Sequence, residues 1–571
     1  QVISRLLDVG LRFRIDNWDP TRLAIFIHCP DEIIARESYK SRVLDWVNGI
    51  ELEPPTWGEA VPELSSATRL RLIHELVTTP QYEGGAGITM DAGVVGETGA
   101  VGGAYVEAIF APHEREFEAE WLKTWAHNWL LGDGDLTRIR NYAGEKVAMY
   151  FAFLQFYFLS LAIPSVVGVL TYFFAADYSA YYSAFVITWS IFFIALWDRR
   201  ASQWADAWGT RRFSAVERIR PEFRPSTVLV DQASGERTPH FPGWRRWLRI
   251  CTVSFPTVLV MVFGLGAIVV AITAVELFFY EFYDGPMKSA LLALPTILYV
   301  AAIPILSSFY TKVSRRLNDF ENYSTESDYD SAYTQKLFFS NSLLGFLSLF
   351  LVGWIFIPLA QVFGVALHQA GYVQRTSFEM GPEMLKDRLF YFVVTGQVIN
   401  AFQEVVVPLI TTKAATLSKS LGKSRGEKAA EDEELKFIRH VRNEFERPDY
   451  DIFEDFAEMV VQFGFLALFS VSWPLTPLVC FLNNFIELRS DAFKICKGSR
   501  RPISQRAENI GPWLKNLTVI SWASSIFLPS LVTMYQSWDP AIPSATQTYN
   551  RIPQTLAAVL VAEHFYFLVK F

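Results

Sequence analysis

Uncharged stretches long enough to cross a bilayer recur along this chain, and no other feature constrains its fold as strongly. A membrane-spanning helix needs about 20 mostly apolar residues. Residues 147–176 contain no Asp, Glu, Lys or Arg, and the same holds for 178–197, 250–275, 289–311, 337–367 and 516–538. Residues 389–412 carry one charge, Glu404, and residues 552–569 carry only Glu563 and His564. Residues 459–486 carry no charge, but Pro474 and Pro477 divide them into two segments. A soluble core helix rarely exceeds about 14 apolar residues, so the pattern predicts a polytopic α-helical membrane protein with ten transmembrane helices. Charged residues make up only 19% of the 571, against roughly 25% in ordinary soluble chains. The net charge of −8 excludes a nucleic-acid partner recruited by bulk positive charge. Four cysteines without Cys-x-x-Cys spacing argue against a disulfide framework and against structural zinc. The chain begins at Gln1 and ends at Phe571 within an apolar run, so it reads as the ordered part of a longer protein.

Loop charge sets the orientation. Eleven arginines fall between spans two and three, in residues 198–250. Lys413, Lys419, Lys423, Arg425 and Lys428 follow span six, and Arg489, Lys494, Lys497, Arg500, Arg501 and Arg506 lie in or after span eight. The loop after span three is acidic, with Glu276, Glu281 and Asp284. Basic loops face the cytosol, which places both termini there. The sequence fits the plasma membrane and an internal membrane equally well.

Residues 1–146 differ from the rest. Leu11-Arg12-Phe13-Arg14-Ile15-Asp16 and Leu23-Ala24-Ile25-Phe26-Ile27-His28 alternate as strands do, and helical patterns follow at 31–48, 67–78 and 115–130. This predicts a cytosolic α+β domain of ferredoxin-like type, with residues 147–571 as the transmembrane domain. The glycines between 84 and 103 lack a following Gly-Lys-Ser/Thr, so they read as a linker and not a phosphate loop.

Carboxylates inside spans are costly and mark function. Glu404 sits in span six with Asn400 four residues before it on the same face. Asp455 and Glu458 open span seven, and Glu487 and Asp491 lie in span eight. With 1.5 Å of rise per residue, Glu404 lies roughly 24 Å inward from Arg388. All five carboxylates therefore reach the inner half of the bilayer. They must protonate, pair with cations or bind a metal. An all-oxygen set suits a hard cation, and Ca²⁺ accepts six to eight oxygens in irregular geometry. Two bulkier alternatives stand beside this reading. Asp455 and Glu458 suit a helix start, with Glu487 and Asp491 paired to Arg489 and Lys494. A proton relay is the other.

Asn400-Ala401-Phe402-Gln403-Glu404-Val405-Val406-Val407-Pro408 resembles the sixth helix of the anoctamin (transmembrane protein 16) family. Asp455-Phe456-Ala457-Glu458-Met459 resembles the family's seventh-helix motif, and Asn483-Asn484-Phe485-Ile486-Glu487-Leu488-Arg489-Ser490-Asp491 its eighth. Arg501-Pro502-Ile503, Ile510-Gly511-Pro512-Trp513 and Ala562-Glu563-His564-Phe565 extend the likeness, which is closest to fungal lipid-scrambling members. The resemblance implies a homodimer of ten-helix subunits, with two Ca²⁺ per subunit held by Glu404, Asp455, Glu458, Glu487 and Asp491, and Asn400 as a sixth ligand. It also implies a membrane-exposed groove lined by helices three to seven. Polar residues in spans four to six include Thr296, Tyr310, Ser340, Tyr391, Thr395 and Gln397, and polar side chains in spans face partner helices or water-filled paths. Tyr391 and Thr296 match groove positions of related scramblases, and Glu276 and Glu281 fall at the outer mouth. Some relatives carry an Arg where this chain has Met384, which leaves Glu276 without an ion-pair partner at that position.

The function expected is Ca²⁺-activated phospholipid scrambling with weakly selective ion conduction. Phospholipids and permeating ions are its partners, and no bond is made or broken, so no enzyme is expected. A Ca²⁺-gated anion channel and a membrane tether are the family's alternatives. A coupled transporter would call for inverted repeats, which the sequence does not display.

Overall fold

In the computed structural model, the described residues are 1–50, 54, 64–90, 101–213, 217, 219–220, 222–230, 237–279, 283, 285–369, 381–402, 433–540 and 542–570. Helices dominate. Among the described residues, six are long and apolar enough to cross a membrane: Glu145–Phe174, Ala180–Trp208, Gly243–Glu276, Glu326–Phe363, Trp513–Tyr535 and Ser544–Lys570. Lys288–Glu321, Ile452–Phe469 and Thr476–Phe493 are also helical where spans were expected. Glu383–Phe390 continues through Tyr391–Gly396 to Gln397–Ala401. The two helices at 452–469 and 476–493 fall short of that apolar standard for a physical reason. Each carries three charges, Glu454, Asp455 and Glu458 in one and Glu487, Arg489 and Asp491 in the other.

Helices 145–174, 180–208, 452–469, 476–493 and 513–535 build the main core. Its centre is aromatic. Phe153 meets Trp197 edge-on at 5.1 Å, and Phe193 stacks on Trp189 at 5.4 Å. Between helices in lipid there is no water to exclude, so small residues that admit close packing decide the contacts. Gly168 is such a residue. A Cβ there would lie 2.1 Å from the carbonyl oxygen of Pro474, in the turn between helices 452–469 and 476–493. Helices 243–276, 288–321 and 326–363 share a smaller cluster around Leu265, Val269, Tyr310 and Leu344. Helix 544–570 lies along 513–535 but keeps most of its apolar surface outward, with Leu556, Leu560, Val561 and Leu568 exposed.

The N-terminal region follows its alternating pattern. Strands β1 (Arg12–Asp19) and β2 (Arg22–His28) form an antiparallel hairpin with Ile15 opposite Ile25. Helices Asp31–Val47, Ser66–Thr78 and Arg115–His127 stand where the sequence predicts them. The glycine-rich stretch is more than a linker. Ile88–Thr89 pairs in parallel with Val101–Gly102, and residues 91–100 lie outside the described residues. Helix Glu433–Phe445 lays Phe437, Ile438, Val441 and Phe445 over the hairpin, where they line an apolar cavity of about 680 Å³.

Candidate functional site

Helix 452–469 begins where Asp451 accepts a hydrogen bond from the Phe453 N–H at 3.0 Å. Asp455 and Glu458 then fall one turn in, three residues apart on one face. Helix 476–493 starts with Pro477 in its first turn, a position that needs no N–H, and its far end carries Glu487 and Asp491. The two helices run in opposite directions, so the start of one and the end of the other lie on the same side, where Lys494 meets Asp455. Asp455, Glu487 and Asp491 are 3%, 4% and 0% exposed, and Glu458 is half-buried.

Two tyrosines and a lysine hold two of these acids, Asp455 and Asp491. Tyr450 donates to Asp455 Oδ2 at 2.6 Å, and Tyr150, from helix 145–174, donates to Asp491 Oδ2 at 2.5 Å. Lys494 Nζ lies 2.7 Å from Asp455 Oδ1. Lys494, which the sequence alternative paired with Glu487 and Asp491, thus also reaches the neighbouring helix. Arg489 turns away. It stacks on Phe485 at 3.7 Å and donates to the carbonyls of Phe485 and Asn128 at 2.8 and 3.0 Å.

Glu404 lies outside the described residues, as does Glu281. Asn400 and Thr296 lie within helices whose course is described, but their side chains are not among the described ones. Among the described residues, no group of three or more His, Cys, Asp or Glu side chains stands close enough together to hold a metal. The donor set nevertheless suits a hard cation, being all oxygen and buried. The amide of Asn484, three residues before Glu487, is buried with neither its oxygen nor its nitrogen hydrogen-bonded among the described residues.

At the other end of span six, Arg388 forms an ion pair with Glu276 at 2.6 Å and donates to Ser348 Oγ at 2.5 Å. This overturns the expectation drawn from Met384. Arg388 stands four residues later, one turn along the same helical face, and reaches the same acid. Spans three, five and six are thereby tied at one point. Just inward, Tyr391 and Thr395 are both part-buried, within the π-helical stretch Tyr391–Gly396. Similar stretches interrupt spans three and five at Ile250–Ser254 and Leu351–Phe356. Such bulges expose backbone groups and recur at functional positions. Of the other polar candidates, Tyr310 serves packing, donating to the Lys336 carbonyl at 3.0 Å.

A buried polar junction joins the site to the N-terminal region. His113 Nε2 faces the Ser499 carbonyl at 3.2 Å, and a carbonyl only accepts, so Nε2 carries the proton. Nδ1 then accepts from the Tyr142 hydroxyl at 2.7 Å. Glu444 accepts from the His113 N–H at 3.1 Å, and its carboxylate lies 2.9 Å from His440 Nε2. Burial lowers the His113 pKa to about 4 and raises that of Glu444. Lys497 pairs with Glu118 at 2.7 Å, and Arg501 with Glu114 at 2.9 Å. Arg506 grips buried Asp45 through both oxygens, at 2.8 and 2.6 Å. The basic residues after span eight, read from sequence as an orientation signal, thus also dock the N-terminal domain.

Comparison with known proteins agrees with this architecture. A family profile described as "Anoctamin: Calcium-activated chloride channel" matches residues 139–571. One described as "Alpha-beta plait domain in TMEM16 lipid scramblase" matches residues 1–94. An uncharacterised protein of Schizosaccharomyces pombe is 26% identical over 570 residues, covering 96% of this chain and 82% of the relative. Human anoctamin-10 is 27% identical over 474 residues, covering 81% of this chain and 66% of the relative. Mouse anoctamin-7 is 27% identical over 486 residues, covering 71% of this chain and 54% of the relative. This chain therefore belongs to the anoctamin family of calcium-activated channels and scramblases.

Proposed function

We propose that the chain is a Ca²⁺-activated phospholipid scramblase with accompanying ion conduction. In this reading it forms a homodimer, each subunit crosses the membrane ten times, and both termini are cytosolic. The observation that carries the reading is the burial of Asp455, Glu487 and Asp491 between two helices of an otherwise apolar bundle. Burying carboxylates in apolar surroundings is unfavourable unless cations offset their charge, so acids placed here call for positive charge beside them. The ligands are Glu404, Asp455, Glu458, Glu487 and Asp491, with Asn400 as the sixth, holding two ions per subunit.

Bound calcium supplies the positive charge that offsets the repulsion among these carboxylates. Span six contributes Asn400 and Glu404, so its inner half is drawn towards spans seven and eight when its acid joins theirs. Its outer half is held by Arg388 on Glu276 and Ser348. Movement of the inner half therefore bends the helix between these points, where Tyr391 and Thr395 lie on the π-helical stretch. Polar side chains there, with Thr296, Glu276 and Glu281, form a track for headgroups while acyl tails stay in the bilayer. Transport runs downhill, and the two-state equilibrium of the groove is the quantity that shifts.

Lipid exchange in reconstituted liposomes tests this. With fluorescent lipid in both leaflets and an external reductant, loss of fluorescence beyond the outer half, faster with calcium, supports scrambling. Bleaching that stops at about half with and without calcium contradicts it, and calcium-dependent ion flux in those vesicles would then assign a channel.

A further inference from the structure

The ion pair between Lys494 and Asp455 puts a cation of the protein's own on one of the proposed calcium ligands. Lys494 Nζ is 2.7 Å from Asp455 Oδ1, and Tyr450 occupies Oδ2 at 2.6 Å. Both oxygens of this nearly inaccessible carboxylate are engaged by intramolecular donors. Lys494 follows Asp491 by three residues, so it stands about one turn further along, on the same face as that acid. It opens the π-helical stretch Lys494–Gly498 and leads into the loop that docks the N-terminal domain. Its side chain is 26% exposed while that of Asp455 is 2% exposed, so the lysine borders the protein surface and the carboxylate does not.

Calcium binds carboxylate oxygens directly, at about 2.3–2.6 Å. An ammonium already in contact with the same carboxylate is then a like charge a few ångströms away, in surroundings that screen poorly. The two cations exclude each other. The flexible four-carbon stem of lysine lets its ammonium swing outward without moving the helix, and a released ammonium is strongly hydrated.

We infer that Lys494 is a tethered counter-cation that competes with calcium for Asp455, stabilising the calcium-free arrangement of spans seven and eight and setting the calcium affinity. The inference rests on the calcium-site reading above. The competition is one of charge, so it weakens when the charge is removed and the stem is kept. It strengthens when a guanidinium, which can grip a carboxylate with two parallel hydrogen bonds, replaces the ammonium.

Direct binding to the purified full chain in lipid nanodiscs tests the inference, with calcium titrated by calorimetry and thermal stability followed in parallel. Lys494→Met is expected to bind calcium at least tenfold more tightly than the wild type and to melt lower in chelator but not in saturating calcium. Lys494→Arg is expected to bind several-fold more weakly, and it keeps the test decisive should the Met variant fail to fold. Glu487→Gln controls for the site itself. If wild type binds calcium, Glu487→Gln weakens it and the Lys494 variants leave affinity within twofold, the competitor role is overturned while the site stands. If wild type binds no calcium, both the site and the inference fall.

Discussion

Arg388 and Glu276 meet at 2.6 Å across the interface between span six and span three, and the same guanidinium reaches Ser348 of span five. One arginine thus gathers three of the helices assigned to the groove. Removing one member of a buried pair leaves the other uncompensated and costs about 3–5 kcal/mol, less where water reaches the site. Glu276 is 29% exposed at its side chain, so Arg388→Gln is expected to destabilise by about 2 kcal/mol. The double exchange Arg388→Glu with Glu276→Arg should recover part of this, with a coupling of roughly 1–3 kcal/mol in a double-mutant cycle. Additive single effects would mean that the pair does not tie these helices together.

The grip of Arg506 on Asp45 is bidentate, and Asp45 is buried. Lysine cannot reproduce two parallel hydrogen bonds. Arg506→Lys should therefore loosen the N-terminal domain, and Arg506→Ala should do so further, by about 3 kcal/mol. Limited proteolysis between the domain and the first span reads this directly. Cleavage rates equal to wild type would show that other contacts suffice.

Acidification should act through His113. Its pKa in the folded protein, about 4, lies below the ordinary value of 6.5, so between these limits the unfolded state binds more protons. Stability therefore rises with pH across that window and is lost as pH falls from 6.5 towards 4. Glu444, whose pKa burial raises, contributes with the opposite sign. Comparing Tm against pH for wild type and His113→Gln isolates the histidine, and the variant should show the flatter slope below pH 6.5. Identical slopes would place the titration elsewhere.

Gly168 lies against the Pro474 carbonyl with no room for a methyl group. Gly168→Ala must push span one off the turn between spans seven and eight, which carry the acids. A loss of about 1–3 kcal/mol is expected, as for overpacked cores. Thermal melting in detergent or lipid measures it, and an unchanged Tm would show that the turn yields freely.

Much of this was readable in the chain. Absence of charge over 147–176 or 516–538 is a local property, and so is the two-residue alternation that made β1 and β2. That Asp455 and Glu458 stand near the start of one helix and Glu487 and Asp491 near the end of the next followed from helix spacing and the break at Pro474 and Pro477. Features that depend on three-dimensional neighbours were not legible. Met384 suggested that Glu276 lacked a partner, but helical geometry offers Arg388 one turn on. One alternative paired Lys494 with acids of its own helix, and nothing in the sequence showed that its long stem also reaches Asp455 on the preceding one. Tyr150, some 340 residues from Asp491, carried no sequence signal for its hydrogen bond. The π-helical stretches leave no mark in the composition. Strand pairing at Ile88–Thr89 was hidden because glycine signals a turn or linker more strongly than two strand residues signal a strand.

The central claim is that these carboxylates sense calcium and thereby release lipid movement. Its most direct test is the calcium dependence of lipid exchange in liposomes holding wild type, Glu404→Gln or Glu487→Gln at matched density. The account predicts that each substitution raises the calcium needed for half-maximal exchange by tenfold or more, while exchange at saturating calcium is largely retained. Half-activation at the same calcium concentration in all three proteins would contradict it.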